Sequence, residues 1–483
     1  MKKQILASTL IIALLAAGCG SENPTVDTTT AADDTTAAET SPDNIPLGTD
    51  LGGRTVRIYT RGDTNATEFD AEQSGDIVDD AIYARNRSIE DRLNVTLEYV
   101  VNTSEDFWAD RTIYMDTVRG AVLANDGSID IAAGLSNIMP ELAQDGMFFN
   151  LLAPDMPYFD FDSPWWPSEL VDELSVQGRL YMTSGEVCLG TIKGLMCFYF
   201  NKKMVEDLQL ENPYDLVKAG KWTLDKFSEM AASAYSDLNG NTKVDADDRF
   251  GFLISNENHS PNFIIASGIR LTEKDSDDLP YYNLGSEKFI DTMDRLYDIM
   301  TQDGFIVKPD GDDTYTNIFT EGRTLFQTGE FKNAEIYRDL TFDFGIIPFP
   351  KGSEEQSDYF TTVRSTYSSL GILVTANKSD CAAVIEALAA ENYRTVTPAY
   401  YEKALKVKYA RDDVSSQMFD LIKGHISFDF GLVHGVMMGG VTTLLRRSIA
   451  FAEGDWSSKW ASNETAVNAA VEKYLENILS LDN

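Results

Sequence analysis

The chain has 483 residues, 43% of them hydrophobic, and 77 Asp and Glu against 40 Lys and Arg give it a formal net charge of -37. A field of this sign repels phosphate backbones, which argues against nucleic acid as a partner. The length exceeds what one simple core supports and predicts two lobes or domains.

The first eighteen residues have the pattern of a secretory signal peptide. Lys2 and Lys3 precede an apolar run over residues 5–17, and small residues lead up to Cys19. A cysteine at this place resembles a bacterial lipobox, in which the cysteine becomes acylated after cleavage. We therefore expect a lipid anchor at Cys19 and a location on the extracellular face of the cell membrane. The alternative is an ordinary secreted protein that is cleaved nearby.

The next segment, residues 19–50, is predicted to be a disordered tether. From Gly20 to Asp50 it contains no aromatic residue and no Lys or Arg, and Thr, Ala and Asp dominate. Such a composition buries too little apolar surface to offset the entropy lost on ordering. We expect it to hold a folded region away from the membrane.

Strand and helix patterns alternate once folded structure begins near residue 51. Residues 54–59, 95–101 and 129–133 read as strands, and the helical spacing of apolar residues falls between them. This alternation predicts an α/β fold with a mainly parallel sheet. Because ligands bind at the carboxyl ends of such strands, Arg61 after the first strand and Asn137 after the third are candidate contacts.

The middle and end of the chain change character. Residues 178–202 indicate two strands around a turn, and Thr223 is a candidate N-cap for a following helix. Short strands are predicted near residues 344–350 and 371–374. From Lys378 the pattern is mostly helical to the end.

Three cysteines remain beyond Cys19. Cys188 and Cys197 either form a disulfide, which an oxidising compartment would permit, or remain as two buried thiols. Cys381 is expected to be a core residue at the start of a helix.

Residues 237–248 resemble a calcium-binding EF-hand loop. Oxygen donors stand at loop positions 1, 3, 5, 7, 9 and 12, and Ca²⁺ prefers several such ligands. Two departures are Thr242 in place of the usual glycine and a short Asp at position 12. The alternative is a solvated acidic turn, and a bound ion would be structural. The candidate ligands are Asp237, Asn239, Asn241, the Lys243 carbonyl, Asp245 and Asp248.

The order of motifs along the chain resembles that of the family 1 extracellular solute-binding proteins, the lipoprotein receptors of ATP-driven importers in Gram-positive bacteria. The resemblance covers nearly the whole chain after the tether. Its elements are the Tyr-Phe-Asn-Lys strand at 199–202, Trp222-Thr223, residues 319–326, residues 345–350, and Pro164-Trp165-Trp166 with residues 178–181 downstream.

This resemblance implies a two-lobe periplasmic-binding-protein-like fold of type II, with crossing hinge strands and a helical C-terminal part. Lobe one would hold residues 51–182 and 323–372, and lobe two residues 183–322 and 373–483. The implied protein is a monomer that captures a solute between its lobes, most naturally a sugar or oligosaccharide, and delivers it to permease subunits.

Further candidate contacts come from positions near the expected cleft. An indole offers a stacking face to a sugar; the alternative for Trp165 and Trp166 is that both cap the lobe junction. Glu186 falls at the expected crossing. In the family a cleft Trp often follows the turn that Phe331 follows here. These further candidates are Trp165, Trp166, Glu186, Asn262, Phe331, Arg364 and Tyr367.

Enzymes are the rival class of function. The three histidines form no metal-binding pair at helical spacing, and no G-x-S-x-G, P-loop or H-E-x-x-H motif is present. We therefore expect no enzyme and no cofactor other than the structural Ca²⁺ considered above. The alternatives are a glycan-acting hydrolase with a carboxylate pair and a peptide-binding surface receptor.

Overall fold

The computed structural model describes residues 41–62, 68–104, 108–309, 311–365, 367–409 and 412–481. The predicted signal peptide, Cys19 and most of the predicted tether lie outside these residues. Among the described helices, none combines the length and apolar character needed to cross a membrane.

The strands fall into two main sheets and one small hairpin. In chain order the strands are β1 Arg54–Thr60, β2 Val95–Val101, β3 Ile131–Leu135, β4 Met196–Asn201, β5 Phe250–Ile254, β6 Thr272–Lys274, β7 Pro280–Tyr282, β8 Phe305–Val307, β9 Thr324–Glu330, β10 Phe344–Ile347 and β11 Ser368–Ile372.

Helices cover these sheets and make up most of the C-terminal part. In chain order they are α1 Ile77–Leu93, α2 Arg111–Ala124, α3 Met139–Gln144, α4 Leu170–Leu174, α5 Leu189–Lys193, α6 Lys202–Asp207, α7 Pro213–Lys218, α8 Leu224–Ala234, α9 Asn262–Ala266, α10 Glu287–Met300, α11 Asn333–Tyr337, α12 Lys378–Glu391, α13 Asp413–Lys423, α14 Phe430–Val433, α15 Val441–Ala450 and α16 Trp456–Leu479.

The first sheet is built on the predicted βαβ units and forms lobe one. Its strand order is β11-β3-β1-β2, in which β1 runs parallel to both β2 and β3 while β11 pairs antiparallel with β3. Val56 and Ile58 of β1 are buried, as is all of β3. Parallel strands covered on both faces need such apolar runs, and the prediction of a mainly parallel sheet is confirmed for this lobe.

The second sheet forms lobe two and has the order β10-β4-β9-β5-β8. Here β4 pairs antiparallel with both β9 and β10, whereas β5 runs parallel to β8 and β9. Phe198 of β4 stacks on Phe252 of β5 with ring centroids 5.3 Å apart, and Phe227 of α8 meets both rings edge-on. Aromatic packing of this kind supplies much of the core of lobe two.

The predicted division between the lobes needs correction in two places. Strands β9 and β10 lie within residues 323–372, which were assigned to lobe one, but their backbones pair with β4 in lobe two. Helix α12 lies within residues 373–483, which were assigned to lobe two, but its buried Ala, Val, Ile and Leu side chains join the core cluster of lobe one. Partners distant in sequence decide both placements.

The chain passes between the lobes through three segments. The first two are residues 183–195 and residues 361–365. Thr183 bridges to Leu370 in lobe one, and Leu195 of the first segment bridges to Val363 of the second. The third segment contains the π-helical stretches Asn392–Val396 and Ala399–Tyr409, after which α13 packs on β10 of lobe two. The expected crossing connections are therefore present, in part as helical turns.

Residues 41–50 pack on lobe one, which corrects the predicted tether of residues 19–50. Ile45 is fully buried in the core cluster of lobe one, and Asp43 pairs with Arg92 at the end of α1. Asn44 Nδ2 donates to Glu386 Oε1 of α12 at 2.7 Å. The buried Ile45 and the two polar residues before it, Asp43 and Asn44, hold this segment on lobe one, although its overall composition is that of a linker.

The cysteine alternatives are resolved in favour of free thiols. Cys188 and Cys197 are both buried and unbonded to each other, and burial raises the pKa of each thiol well above its ordinary value. Cys381 is buried on the first turns of α12, as expected.

Candidate functional site

A pocket of about 130 Å³ lies between the lobes and is lined from both sides. We call it the cleft pocket. Lobe one contributes Trp108 and Asn137, and lobe two contributes residues of β4, α9, α14 and α15 together with the turn at residues 257–259. Thr362, Val363 and Ser365 of the second crossing segment form its floor.

On the lobe-one wall, Asn137 follows the carboxyl end of β3, where the topology predicts a ligand contact. Its Oδ1 atom is buried and accepts no hydrogen bond within the described structure. Trp108 precedes α2 with 47% of its surface exposed, and the Arg111 guanidinium lies 4.5 Å from the centre of its ring. This wall therefore presents a buried acceptor and an accessible indole.

On the lobe-two wall, Asn262 begins α9 and is 0% exposed. Its Oδ1 accepts the backbone N–H of Thr362 at 3.0 Å, which fixes the orientation of the amide. Its Nδ2 group is buried and donates no hydrogen bond within the described structure. The arrangement leaves a donor at the pocket without a protein partner.

Arg446 of α15 also lines this wall. Its Nη1 donates to Asn258 Oδ1 at 3.0 Å, and its Nε lies 3.3 Å from Glu257 Oε1. The geometry at Nε is not that of a hydrogen bond, so this buried donor is also unsatisfied. Among the described residues that line the cleft pocket, none is Asp or Glu.

A buried ionic cluster stands beside the pocket at the end of β9. Glu330 accepts from the Arg364 guanidinium at 3.2 Å and from His259 Nε2 at 3.3 Å, and Lys332 lies 2.9 Å away. Burial alone would raise the pKa of Glu330, but the His259 hydrogen bond and the two cations lower it to about 2. Burial lowers the pKa of His259. Arg364, a predicted contact, thus serves to hold the second crossing segment to β9.

A second pocket, of about 180 Å³, gathers three other predicted residues: Trp165, Trp166 and Glu186. We call it the hinge pocket, since residues of the first crossing segment and the end of α13 line it. Both indole N–H groups donate to the Glu386 carboxylate, at 3.1 and 3.2 Å. Both tryptophans are buried, so each serves the lobe junction.

Glu186 makes two polar contacts at the hinge pocket. Glu186 Oε1 pairs with Lys423 at 3.3 Å, and Glu186 Oε2 accepts the Thr397 hydroxyl. Burial raises the pKa of Glu386 to about 7, although hydrogen bonds from Asn44 and Trp166 oppose that rise. This carboxylate therefore joins the N-terminal segment, the tryptophan pair and α12.

Three predicted contacts lie in the core and line neither pocket. Arg61 is buried near the Glu68 carboxylate, which accepts the Gly190 N–H at 2.7 Å. Phe331 packs edge-on against Phe419 with ring centroids 4.7 Å apart. Tyr367 is buried, and burial raises the pKa of its hydroxyl.

The oxygen donors of the 237–248 loop are engaged within the loop itself. Asp237 accepts the backbone N–H groups of Gly240 and Thr242, and Asp245 accepts the side-chain amides of Asn239 and Asn241. The buried Asp248 accepts the Leu238 N–H and the Tyr235 hydroxyl, while the Lys243 backbone N–H donates to Asn241 Oδ1. Thr242 adopts a φ of 61°, the left-handed conformation that glycine provides at this loop position.

These contacts bring the side chains of Asn239, Asn241 and Asp245 together. Among the described residues, no group of three or more His, Cys, Asp or Glu is placed to hold a metal ion. Calcium binding by the loop therefore stays a prediction.

Sequence reasoning missed Trp108, Asn258 and Arg446 as pocket residues. Trp108 falls at the start of a stretch with helical spacing, and Arg446 is one of two adjacent arginines in another helical stretch. The one available signal was Trp108, an indole at the carboxyl side of β2, where this topology places ligand loops.

No family model matches the sequence, and no curated relative matches it. Solved structures do match. An ABC substrate-binding protein from Listeria monocytogenes in complex with cycloalternan is 10% identical with a TM-score of 0.53, covering 88% of this chain and 99% of that one.

Two further solved structures show the same likeness. The cyclic alpha-maltosyl-1,6-maltose binding protein from Arthrobacter globiformis is 13% identical, with a TM-score of 0.55 and coverage of 87% and 99%. UgpB from Mycobacterium tuberculosis in complex with glycerophosphocholine is 16% identical, with a TM-score of 0.54 and coverage of 84% and 99%. The predicted two-lobe fold of solute-binding proteins is thereby confirmed.

Proposed function

We propose that this protein is the solute-binding receptor of an ATP-driven importer and that it captures a sugar or oligosaccharide in the cleft pocket. The observation that carries this proposal is the pair of unsatisfied amide groups on its two walls. Asn137 Oδ1 on lobe one needs a donor, and Asn262 Nδ2 on lobe two needs an acceptor. A hydroxyl group is both, and a polyhydroxylated ligand satisfies both walls at once.

The energetics favour a ligand that bridges the lobes. A buried polar group without a partner costs about 1–3 kcal/mol, so supplying the missing partners returns that energy on binding. Trp108 adds an indole face on which the apolar C–H surface of a sugar ring packs. Because these contacts come from both lobes, the ligand binds the closed arrangement better and shifts the population toward it.

The pocket chemistry disfavours hydrolysis. A glycosidase places two carboxyl groups about 5–10 Å apart across the scissile bond. The described lining of the cleft pocket contains no carboxylate. Solved structures of the same fold include an ABC substrate-binding protein and a cyclic alpha-maltosyl-1,6-maltose binding protein. This supports the receptor over both the hydrolase and the peptide-receptor alternatives.

The cellular setting follows from the N-terminal sequence. We propose that the signal peptide is removed, that Cys19 is acylated, and that the monomeric folded region stands on the extracellular face and meets its permease there. Labelling with a radioactive fatty acid tests this: the wild-type chain should incorporate label, and Cys19→Ser should not.

Ligand binding is tested with the soluble chain from Gly20, screened by thermal shift and calorimetry against neutral and acidic oligosaccharides and short peptides. A rise in melting temperature with a sugar class, which is smaller in Asn137→Ala, is the expected result. Binding of peptides alone, or consumption of a glycan, would overturn the proposal.

Parallel runs with CaCl₂ and with a chelator test calcium binding by the 237–248 loop. A calcium-dependent rise in melting temperature that is lost in Asp245→Asn would establish the ion.

A further inference from the structure

The charged residues that line the cleft pocket differ in their balance of acids and bases from the chain as a whole. Acidic residues outnumber basic ones by 77 to 40 over the whole sequence. The described lining of the pocket nevertheless has no Asp or Glu and includes one cation, Arg446. By contrast, Glu169 and Glu186 line the hinge pocket. Among the described lining residues of the two pockets, the absence of acids is therefore specific to the cleft pocket.

Two buried donors on the same wall lack acceptors. Asn262 Nδ2 and Arg446 Nε are both buried and unsatisfied, and both side chains line the pocket. The Oδ1 of Asn262 is committed to Thr362, so its amide cannot turn to present an acceptor without breaking that bond. The wall thus presents two donors to a group that accepts hydrogen bonds.

We infer that the solute carries a carboxylate, and that the cleft pocket takes a uronic-acid sugar, with its carboxylate against Arg446 and Asn262 and a ring hydroxyl donating to Asn137. This inference rests on the proposed sugar-receptor function. A carboxylate is acceptor-only, and a guanidinium matches its geometry with charge-assisted hydrogen bonds. Trp108 remains available to stack on the sugar ring.

The overall charge of the protein does not forbid an anionic solute. At physiological ionic strength the Debye length is about 8 Å, so exposed carboxylates beyond that distance are largely screened. Beside the pocket, Glu257 Oε1 lies 3.3 Å from Arg446 Nε and partly offsets its charge. A bound carboxylate would satisfy the Nε donor that Glu257 leaves without a hydrogen bond.

Matched sugar pairs test the inference by calorimetry. Di- and trisaccharides of galacturonate and glucuronate are compared with their neutral galactose and glucose counterparts, and with sulfated and phosphorylated forms. The uronates should bind at least about tenfold more tightly than their neutral partners, as expected for charge-assisted hydrogen bonds. Added salt should weaken binding of the uronates more than binding of the neutral sugars.

Variants locate the selectivity. Arg446→Gln should bring the uronate-to-neutral affinity ratio close to one. Arg447→Gln is the matched control. The Arg447 guanidinium is exposed, does not line the pocket, and pairs with Glu453 at a distance of 2.6 Å. Since Arg446→Gln leaves Glu257 buried without its partner, the double variant with Glu257→Gln guards against loss of folding.

The outcomes are distinct. Equal binding of neutral and acidic sugars, with a ratio unchanged in the folded Arg446 variants, would overturn the inference and leave the sugar receptor standing. Preference for sulfated or phosphorylated sugars over uronates would overturn the assignment of a carboxylate. Failure of every sugar to bind would overturn the receptor function and this inference with it.

Discussion

Asn137 and Asn262 lie on opposite walls of the cleft pocket, one with a buried acceptor and the other with a buried donor that no described group satisfies. A protein bears such a cost where a ligand later supplies the partner. The two amides therefore support the proposal that a ligand bridges the two lobes at this pocket.

The first prediction follows from the cost of leaving Asn137 Oδ1 unsatisfied. Asn137→Ala should weaken ligand binding about tenfold while leaving the free energy of unfolding unchanged or higher, because it removes a buried unsatisfied acceptor. Calorimetry and urea unfolding measure the two effects. Asn150→Ala is the control: its Oδ1 accepts the Leu152 and Leu180 N–H groups at 3.0 Å, so it should lose stability and keep its affinity. Equal losses of stability in both variants would contradict this account.

The second prediction concerns the buried carboxylate of Glu330. Its folded pKa of about 2 lies below the ordinary 4.5, so its contribution to stability is present above pH 4.5 and is lost as the pH falls toward 2. Glu330→Gln leaves the Arg364 and Lys332 charges without their partner and should cost about 3–5 kcal/mol at pH 7. Chemical unfolding between pH 2 and pH 7 should show a weaker acid dependence in the variant. An unchanged dependence would show that other carboxylates dominate.

The third prediction concerns Glu386, whose pKa is shifted the other way. A folded pKa of about 7, raised from 4.5, means that the protonated form is favoured in the folded state. The contribution of Glu386 to the free energy of unfolding should be greatest below pH 4.5. It should fall by up to about 3 kcal/mol as the pH rises from 4.5 through 7. In Glu386→Gln that decline should disappear, whereas in the exposed Glu472→Gln it should persist. A decline that survives in Glu386→Gln would contradict the prediction.

The fourth prediction tests the packing of residues 41–50. Ile45 is fully buried, while Leu47 in the same segment is 54% exposed. Ile45→Ala should lower the free energy of unfolding by about 2–5 kcal/mol, and Leu47→Ala should change it little. Protease cleavage of this segment should accelerate only in the first variant. Equal behaviour of the two variants would show that the segment does not contribute to the fold.

Local patterns in the sequence predicted the parts of the fold that depend on local forces. The spacing of apolar residues predicts the alternation of β1, α1, β2 and α2. The position of Asn137 follows from the direction of β3, whose carboxyl end it follows. The pairing of β4 with β9 joins residues about 130 positions apart, and no local period specifies it. The same holds for Glu386, whose contacts with Trp165 and Trp166 converted a pair expected at the cleft into a structural support.

Arg446 shows why the site itself was harder to predict. Its role depends on α15 packing beside the turn at Glu257 and Asn258, nearly 190 residues earlier in the chain. An arginine on an amphipathic helix is ordinarily solvent-facing. Only the tertiary arrangement makes it the cation of the pocket.

The order of the lobes along the chain has a consequence for biogenesis. Lobe one is closed by β11 and by α12, which ends at Glu391. A chain still emerging from the ribosome therefore cannot complete this lobe until about four-fifths of the chain has been made. Before then the edge of β3 and the surface that α12 covers stay open. For the exported protein proposed above, this delay favours a chain that remains unfolded through export and completes its first lobe only outside the cell.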